Sequence, residues 1–483
     1  MKYIYLFKKG LLVLLLAYGF VGHATEHPKQ IIKKHKGVFN IKDFGAIGDG
    51  KTMNTAAIDK AITACANAGG GTVLIPNGNF VTGTIVLKSN ITLYLEPDAH
   101  VIGTTDISEY KSFKLRPEDP LRPINITVKD SLVWCRALVL IEDVHDVAIS
   151  GTGTIDGSGV IDKRGEEGRR GPHGILMGEA KNITISNIRV TRSGNYNILG
   201  LGVENVKISG VTVTQGADGI HIRRGKNLLI ENCKCYTADD AIAGGYWENM
   251  LIKDCLLNSS CNGIRVILPA TNLEIKNCEI FGPGVFGHPR GTADNPLVTR
   301  TLTGIIIQPG AWGLGAGFLD RINIHDIRIR DMQTAITFVL NEGNKARNIT
   351  VTNLVATGIT NNAGSVEAWP VGSSYENVKF KNISIDYNIW DKALLKTKEI
   401  NRPGTESLPR PYWGFYVRNA KDISFENVQL TYAGTDERPV MGFDSVGKVL
   451  LNNVKYKSAG KGRTFKYDKS TIVTLINTAS ANK

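Results

Sequence analysis

The sequence predicts an all-β protein, a right-handed parallel β-helix (solenoid) whose N-terminal end is capped by a helix. Glycine is abundant at 52 residues and aromatic residues make up only 7%, a composition that favours short strands and tight turns over helical packing. Segments of alternating apolar residues also recur every 22 to 23 positions, the length of one coil made of strands and turns. The central copies begin at Asn182, Asn205, Asn227, Asn249 and Asn272.

The N-terminus has the features of a secretory signal peptide. Lys2, Lys8 and Lys9 precede the apolar run "LLVLLLAYGFVG", and small residues stand before a cut after Ala24. The run is shorter than the ~20 residues that a membrane-spanning helix needs, which disfavours an uncleaved anchor. We therefore expect a signal peptide over residues 1–24, a secreted or periplasmic protein, and no membrane span after cleavage.

A capping helix is predicted ahead of the coils. The segment "NIKDFGAIGDGKTMNTAAIDKAITACANAGGGTVLIPNG" has the pattern of a strand, a glycine-rich turn, an amphipathic helix from about Asn54 to Ala68, and a strand. Its glycines lack the Lys-Ser/Thr pair and the G-x-G-x-x-G order of nucleotide loops, which argues against phosphate binding. A helix here would cover the open core of the first coil. We expect residues 25–483 to form one β-helix domain, with coils from about 38 to 455.

The chain is basic, with 57 Lys and Arg against 45 Asp and Glu and a sequence pI near 9.2. An exported basic protein attracts polyanions by long-range electrostatics, although solubility alone also explains such a balance. We expect a monomer whose partner is an acidic poly- or oligosaccharide and not a nucleic acid.

Seven cysteines exclude a complete disulfide framework, because the number is odd. Cys233, Cys255 and Cys278 end the matching segments "IENC", "IKDC" and "IKNC" of successive repeats. This shared apolar position predicts a stack of reduced, inward-facing thiols. No histidine accompanies them at ligand spacing, so we expect no metal there and no cofactor elsewhere.

Carboxylates gather where three coils align. Stacking "ADGIHI", "DDAIAG" and "CNGIRV" on their apolar positions places Asp218, Asp240 and Asn262 in one column, with Asp239 beside Asp240. Neighbouring coils are ~4.8 Å apart, and like charges at that distance cannot all ionise, so their pKa values should separate. A carboxylic acid that keeps its proton beside an ionised carboxylate is suited to general acid/base catalysis of glycosidic bond cleavage.

A second column lies three residues further on and contains His221, Ala243 and Arg265. With Arg223 and Arg224 it forms a cationic rim beside the carboxylates. A ladder of Asn and Asp side chains that satisfies turn amides is the alternative explanation of the first column. Turn formation does not need an adjacent cationic rim, so the pattern favours a functional site.

At these residues the chain resembles a known family. The segments "DFGAIGDG", "GGGTVLIPNG" and "GTGTIDGSG", followed by the aspartate coils, are similar to polygalacturonases, glycoside hydrolase family 28 of the pectin-enzyme β-helix group, over roughly residues 38 to 390. The resemblance implies that Asp218, Asp239 and Asp240 are the catalytic carboxylates. It further implies that Asp239 is the general acid, that the other two activate water, and that the anomeric carbon is inverted.

Two family motifs are changed in this chain. The family's Gly-His-Gly is "CNG" here, with Asn262 in the place of the histidine, and its Arg-Ile-Lys is replaced in "GIIIQP". The loss of a cationic motif leaves Arg265, Arg223 or Arg224 to bind the carboxylate of an anionic sugar, since guanidinium pairs with carboxylate in a two-pronged manner. We expect four further residues to bind substrate with them: His221, Asn262, Tyr246 and Trp247.

Three functions are compatible with these residues. The first is hydrolysis of a glycan that contains uronic acid, by the paired aspartates. The second is elimination or dehydration that yields a 4,5-unsaturated uronate, with His221 or an aspartate as base and Arg265 as the neutralising cation. The third is a non-catalytic glycan-binding β-helix with the stacking aromatics Tyr246, Trp247 and Trp312 in its groove.

Overall fold

The computed structural model describes residues 37–115, 130–289, 296–312, 317–341, 343–360, 364–369, 371–388, 396–432, 438–457 and 464–480, with positions 294, 315 and 436. The expected signal peptide over 1–24 lies outside these residues. Within the described ranges, every helix is too short or too polar to cross a bilayer.

The protein is a right-handed parallel β-helix, as the sequence predicts. Among the described residues, thirty-five strands belong to one sheet, and each long strand pairs in parallel with its equivalent in the next coil. Ile220, Ile242 and Ile264, for example, lie in register across three coils. Equivalent residues of successive repeats therefore form columns along the axis.

The helical elements are few and short. In the part of the chain that the structure describes, two are α-helices, α1 Thr55–Asn67 and α2 Ser131–Trp134, and three are 3₁₀ turns, Ile41–Phe44, Ile107–Glu109 and Glu166–Gly168. The strands before the predicted site are β1 Val38–Asn40, β2 Asp49–Met53, β3 Gly71–Ile75, β4 Gly78–Thr82, β5 Ile85–Leu87, β6 Ile91–Leu95, β7 Ala99–Gly103, β8 Ala137–Glu142, β9 His145–Gly151, β10 Thr154–Asp156, β11 His173–Gly178, β12 Lys181–Ser186, β13 Arg189–Thr191, β14 Ile198–Ser209 and β15 Thr212–Thr214.

The site and the coils after it contain both long and short strands. These are β16 Ile220–Glu231, β17 Lys234–Thr237, β18 Ile242–Lys253, β19 Leu256–Ser259, β20 Asn262–Val266, β21 Ala270–Lys276, β22 Glu279–Phe281, β23 Thr303–Ile307, β24 Phe318–Met332, β25 Thr334–Leu340, β26 Lys345–Ile359, β27 Gly364–Ala368, β28 Ser374–Tyr387, β29 Phe415–Arg418, β30 Asp422–Tyr432, β31 Met441–Asp444, β32 Lys448–Tyr456, β33 Phe465–Tyr467, β34 Ile472–Ile476 and β35 Ala479–Ser480.

Helix α1 closes the N-terminal end of the β-helix, at the position that the sequence predicts. Its inner face buries Ile58, Ala61, Ile62 and Cys65 against the first coils. At the other end, parallel pairing continues past the expected limit near 455, because β34 pairs with β32. The expected end of the coils was therefore too early.

The asparagines that begin each repeat form a ladder. The Nδ2 group of Asn205 donates to Oδ1 of Asn182 at 3.0 Å, and Asn227, Asn249 and Asn272 continue the chain of bonds at 2.9, 3.0 and 2.7 Å. All five have positive φ angles between 53° and 59°. Asparagine tolerates this left-handed conformation better than most residues, which explains its recurrence at the turn.

The interior of the coils is filled by one apolar core. Cys233, Cys255 and Cys278 are 0%, 3% and 2% exposed and belong to this core. All seven cysteines are free thiols. The predicted inward, reduced stack is confirmed.

A second hydrophobic cluster lies outside the coils, on the outward face of the strands that precede the site. Leu140, Leu176 and Leu199 occupy one outward column in register. Phe113 and Trp134, from the segment that includes α2, pack over them. We call this layer the N-terminal cover.

Candidate active site

The predicted carboxylate column is confirmed. The backbone N–H of Asp240 donates to Oδ1 of Asp218 at 3.3 Å, and the N–H of Asn262 donates to Oδ1 of Asp240 at 3.2 Å. The second column is confirmed by strand register, because His221 lies opposite Ala243, which lies opposite Arg265. Adjacent coils thus bring together residues that are 22 positions apart in the chain.

Asp239 is held by two basic side chains. Nη2 of Arg170 donates to its Oδ2 at 2.7 Å, and Nε2 of His288 lies 3.4 Å from the same oxygen. Oxygens of Asp239 and Asp240 and the Sγ of Cys261 lie within 4.8 Å of one another. Two carboxylates at that separation repel each other when both are ionised.

The pKa values of two of the three aspartates, Asp218 and Asp240, are raised. Burial raises the pKa of Asp218 well above its usual range, and the charges of Asp239 and Asp240 raise it further. Burial also raises the pKa of Asp240, although the guanidinium of Arg265 opposes the rise. Two of the three aspartates that meet here therefore hold their protons more tightly than an exposed carboxyl does.

His221 is fixed as a neutral imidazole. Nε of Arg223 is a donor and bonds to Nε2 of His221 at 3.0 Å, so the ring proton is on Nδ1 and points to Oδ2 of Asp218, 2.6 Å away. The ring stacks on Tyr196 at 4.6 Å between centroids. Burial lowers the pKa of His221 well below its usual range, and the charge of Arg223 lowers it further.

These groups surround a cavity of about 60 Å³, small beside the ~300 Å³ of ordinary ligand pockets. Arg223 lines it, with its guanidinium 5.3 Å from the centroid of the Trp134 ring. The other walls are formed on one side by Glu166, Glu167 and Arg170 and on the other by Ile267, Leu268 and Trp312.

Arg265 is engaged by the protein itself. Its Nε and Nη2 donate to Oε1 of Gln308 at 3.0 and 2.7 Å, and Nη1 donates to Oδ2 of Asp240 at 3.4 Å. Nη2 also donates to the carbonyl of Thr405, and Trp312 lies against the guanidinium at 5.2 Å. Gln308, at a position where the family motif is changed, thus accepts two hydrogen bonds from Arg265.

Four of the predicted substrate-binding residues do not line the cavity. Arg224 lies outside, where it forms an ion pair with Glu179. Trp247 is 2% exposed within the apolar core, and its Nε1 donates to the carbonyl of Ile222 at 2.8 Å. The remaining two are Tyr246, at a turn with φ of 51°, and Asn262, which is buried below Asp240 and donates to it from Nδ2 at 2.8 Å.

Corrections at Arg224, Tyr246 and Trp247 have one physical cause. Strict alternation of faces along an extended strand ends at the left-handed turns, where Arg224 and Tyr246 have φ of 56° and 51°. After each turn, the alternation that precedes it no longer predicts which residues point outward. Residues just before the turn, such as Arg223, keep the outward direction, whereas Trp247 begins the next inward run.

Several residues of the site were not predicted from the sequence. Arg170, Glu166 and Glu167 come from "DKRGEEGRRGPH", between β10 and β11, and His288 comes from the loop after β22. The density of charges in the first segment was an available signal, because a plain turn does not need the seven acidic and basic residues that lie between positions 162 and 170. Nothing in the sequence marks His288, which reaches Asp239 only through the fold.

Comparisons with known proteins agree with this geometry. The family model described as rhamnogalacturonase A/epimerase, pectate lyase-like, matches residues 38–280, half of the chain. The chain belongs to this family. Its coils carry the columns described above, and the predicted polygalacturonase-like resemblance is confirmed.

A curated relative of this pectate lyase-like chain is a probable polygalacturonase of Vitis vinifera. It is 26% identical over 354 residues, which cover 68% of each chain. Two solved structures share the fold. The family 28 exopolygalacturonase of Yersinia enterocolitica has a TM-score of 0.56 at 16% identity and covers 90% of this chain and 78% of its own. The exopolygalacturonase of Thermotoga maritima has a TM-score of 0.51 at 18% identity and covers 95% and 94%.

Proposed function

We propose that this protein is a glycoside hydrolase that cleaves an acidic polysaccharide, or its oligosaccharides, at bonds to uronic acid residues. The observation that carries the proposal is the meeting of Asp218, Asp239 and Asp240 at one cavity with Arg223 in its wall. The names of the relatives support the same class of reaction.

Arg223 is proposed to bind the carboxylate of the sugar. Within the described residues its one hydrogen bond runs from Nε to His221, which leaves the terminal nitrogens available to a ligand. A guanidinium offers two parallel N–H donors to a carboxylate. Arg265 is less suited, because Gln308, Asp240 and Thr405 already accept its hydrogen bonds.

Asp239 is proposed as the general acid and Asp218 with Asp240 as the group that activates water. The cavity, which Arg170 lines, is too small for a sugar ring, so a bound sugar is proposed to displace Arg170 from Asp239. Without that cation, burial and the neighbouring carboxylate favour the protonated form that an acid needs. The proton passes from Asp239 to the leaving glycosidic oxygen, while water loses its proton to the opposing carboxylate.

Elimination or dehydration is supported less well. His221 as base would need an open nitrogen, but Nε2 accepts from Arg223 and Nδ1 donates to Asp218. Arg265 as the neutralising cation would need to release its protein acceptors. A non-catalytic glycan-binding function does not require three carboxylates in one cavity, and Trp247 is in the core rather than in a groove.

The proposal includes export. Residues 1–24 are proposed to be a signal peptide, and 25–483 to form one secreted or periplasmic β-helix that acts as a monomer. N-terminal sequencing and light scattering of the protein from the native host test these points.

The function is tested by incubating the protein with a panel of acidic glycans that includes pectin, rhamnogalacturonan and sulfated algal uronans. Hydrolysis releases reducing ends without the ultraviolet absorbance of a conjugated double bond. Absorbance that rises in step with the reducing ends would instead support elimination. No turnover on any uronan, with folded protein, would overturn the proposal.

A further inference from the structure

We infer that the cavity admits only the end of a sugar chain, so that the enzyme releases short products from a chain terminus and does not cut internal bonds. This inference deepens the proposed function and rests on it. It is carried by two segments of the chain that lie over the strand face on both sides of the aspartates.

The first segment covers the coils after the site. The carbonyl of Thr405 accepts a hydrogen bond from Arg265, and Oγ of Ser407 lies 3.3 Å from Oγ1 of Thr337. Arg265 and Thr337 belong to the same outward column, with Ile306 between them in register. The chain therefore runs along the axis of the β-helix, where a polysaccharide in an open groove would lie.

Two further anchors hold this C-terminal cover, residues 402–410. Nε of Arg402 donates to Oδ1 of Asn341 at 3.0 Å. Arg410 forms a two-pronged pair with Glu367 at 2.9 and 2.7 Å, and both side chains are 1% exposed. A buried, paired arginine is costly to remove, so the cover is a fixed part of the fold.

The N-terminal cover blocks the opposite direction. Leu199 lies in register with His221, one coil before the site, and is buried under Trp134 and Phe113. Gly178 permits this packing, because a Cβ there would lie 2.5 Å from the ring of Phe113. Arg223 contacts Trp134 at the inner edge of the cover.

The stretch between the two covers is short. It runs from the coil of His221, through that of Ala243, to that of Arg265, where the C-terminal cover begins at Thr405, and it spans two strand spacings or roughly 10 Å along the axis. Glu166 and Glu167 close it on one flank, and Leu268 with Trp312 close it on the other. A chain that enters must therefore present its terminus, because neither direction along the axis has room for it to continue.

The product profile of the wild-type protein tests this inference. With a long uronan that the enzyme hydrolyses, we expect short products from the first time point and viscosity that falls slowly relative to the release of reducing ends. A ladder of intermediate lengths with an early collapse of viscosity would overturn the inference and leave the proposed function intact.

An end-blocked substrate provides the matched control. A uronan whose two ends are chemically capped or tethered has the same internal bonds but no terminus, and we expect its hydrolysis to be lost. Equal rates on capped and uncapped chains would overturn chain-end action. Absence of hydrolysis on every uncapped uronan would instead overturn the proposed function itself, so the two failures are distinguishable.

Discussion

Arg223 and Arg224 are consecutive in the chain, yet they lie on different sides of a coil corner. Arg223 lines the cavity beside His221, whereas Arg224 adopts a φ of 56° and pairs with Glu179 at the surface. Substitution of each residue in turn therefore distinguishes the effect of a cation inside the site from the effect of a cation near it.

Replacement of Arg223 by alanine is expected to raise KM for a uronan about tenfold to a hundredfold, the effect of losing a charged hydrogen bond to the sugar carboxylate. Arg224→Ala is the matched control and should leave KM nearly unchanged. Steady-state kinetics on the uronan and on its methyl-esterified form measure the difference. Equal effects of the two substitutions would contradict the assignment of Arg223.

Asp239→Asn and Asp240→Asn should each lower kcat by roughly 10²–10⁴-fold, because an amide keeps the shape of the side chain but cannot transfer a proton. Thermal unfolding and circular dichroism are expected to change little. The double variant should lose no more than a small further factor, since groups that act as a unit are not additive. Full activity of the double variant would contradict the site.

Arg170→Gln removes the cation 2.7 Å from Asp239 and leaves Glu167, Asp218 and Asp240 nearby. Loss of this positive charge favours the protonated form of Asp239. Activity that depends on this acid is therefore lost at a higher pH in the variant than in the wild type. We therefore expect the alkaline limb of the kcat/KM profile to move upward.

The adjacent Arg169 provides the control for this shift, because it pairs with Glu167 at 2.8 Å and is more exposed. Arg169→Gln should leave the alkaline limb in place. If the alkaline limb of the kcat/KM profile is also unchanged in Arg170→Gln, the assignment of Asp239 as the general acid is contradicted.

Asp218→Asn tests the raised pKa of Asp218 through stability. The ordinary value is 3.8, and burial raises it in the folded protein, so the native state holds this proton more tightly than the unfolded chain. The corresponding stabilisation is present below the unfolded pKa and is lost as pH rises through the folded pKa. The asparagine variant lacks this dependence.

The melting temperature of Asp218→Asn, taken relative to the wild type, should therefore increase as the pH rises above about 4, the ordinary pKa of an aspartate. Scanning calorimetry across that range provides the measurement. Asp49→Asn is a control of opposite sign, because backbone hydrogen bonds from Thr52 and Lys51 lower the pKa of Asp49 to about 2. A relative melting temperature of Asp218→Asn that falls with pH would contradict the raised pKa.

The repeat, the capping helix, the thiol stack and the aspartate column were all predictable from the sequence, because each depends on a period. A residue 22 positions from another is its neighbour once the coil is recognised, as Asp218 and Asp240 demonstrate. Local conformation supports the same period, since the recurring asparagines supply the left-handed turns that close each coil.

Only the tertiary structure decided what lies over that column. Arg170, His288 and the cover with Thr405 come from loops outside the period, and their contacts with Asp239 and Arg265 join residues 49 to 140 positions apart. The same structure placed Arg224 outside and Trp247 inside, because one turn residue with positive φ reverses the face that follows. Periodicity determines neighbours along the axis, whereas loop paths depend on packing that no repeat encodes.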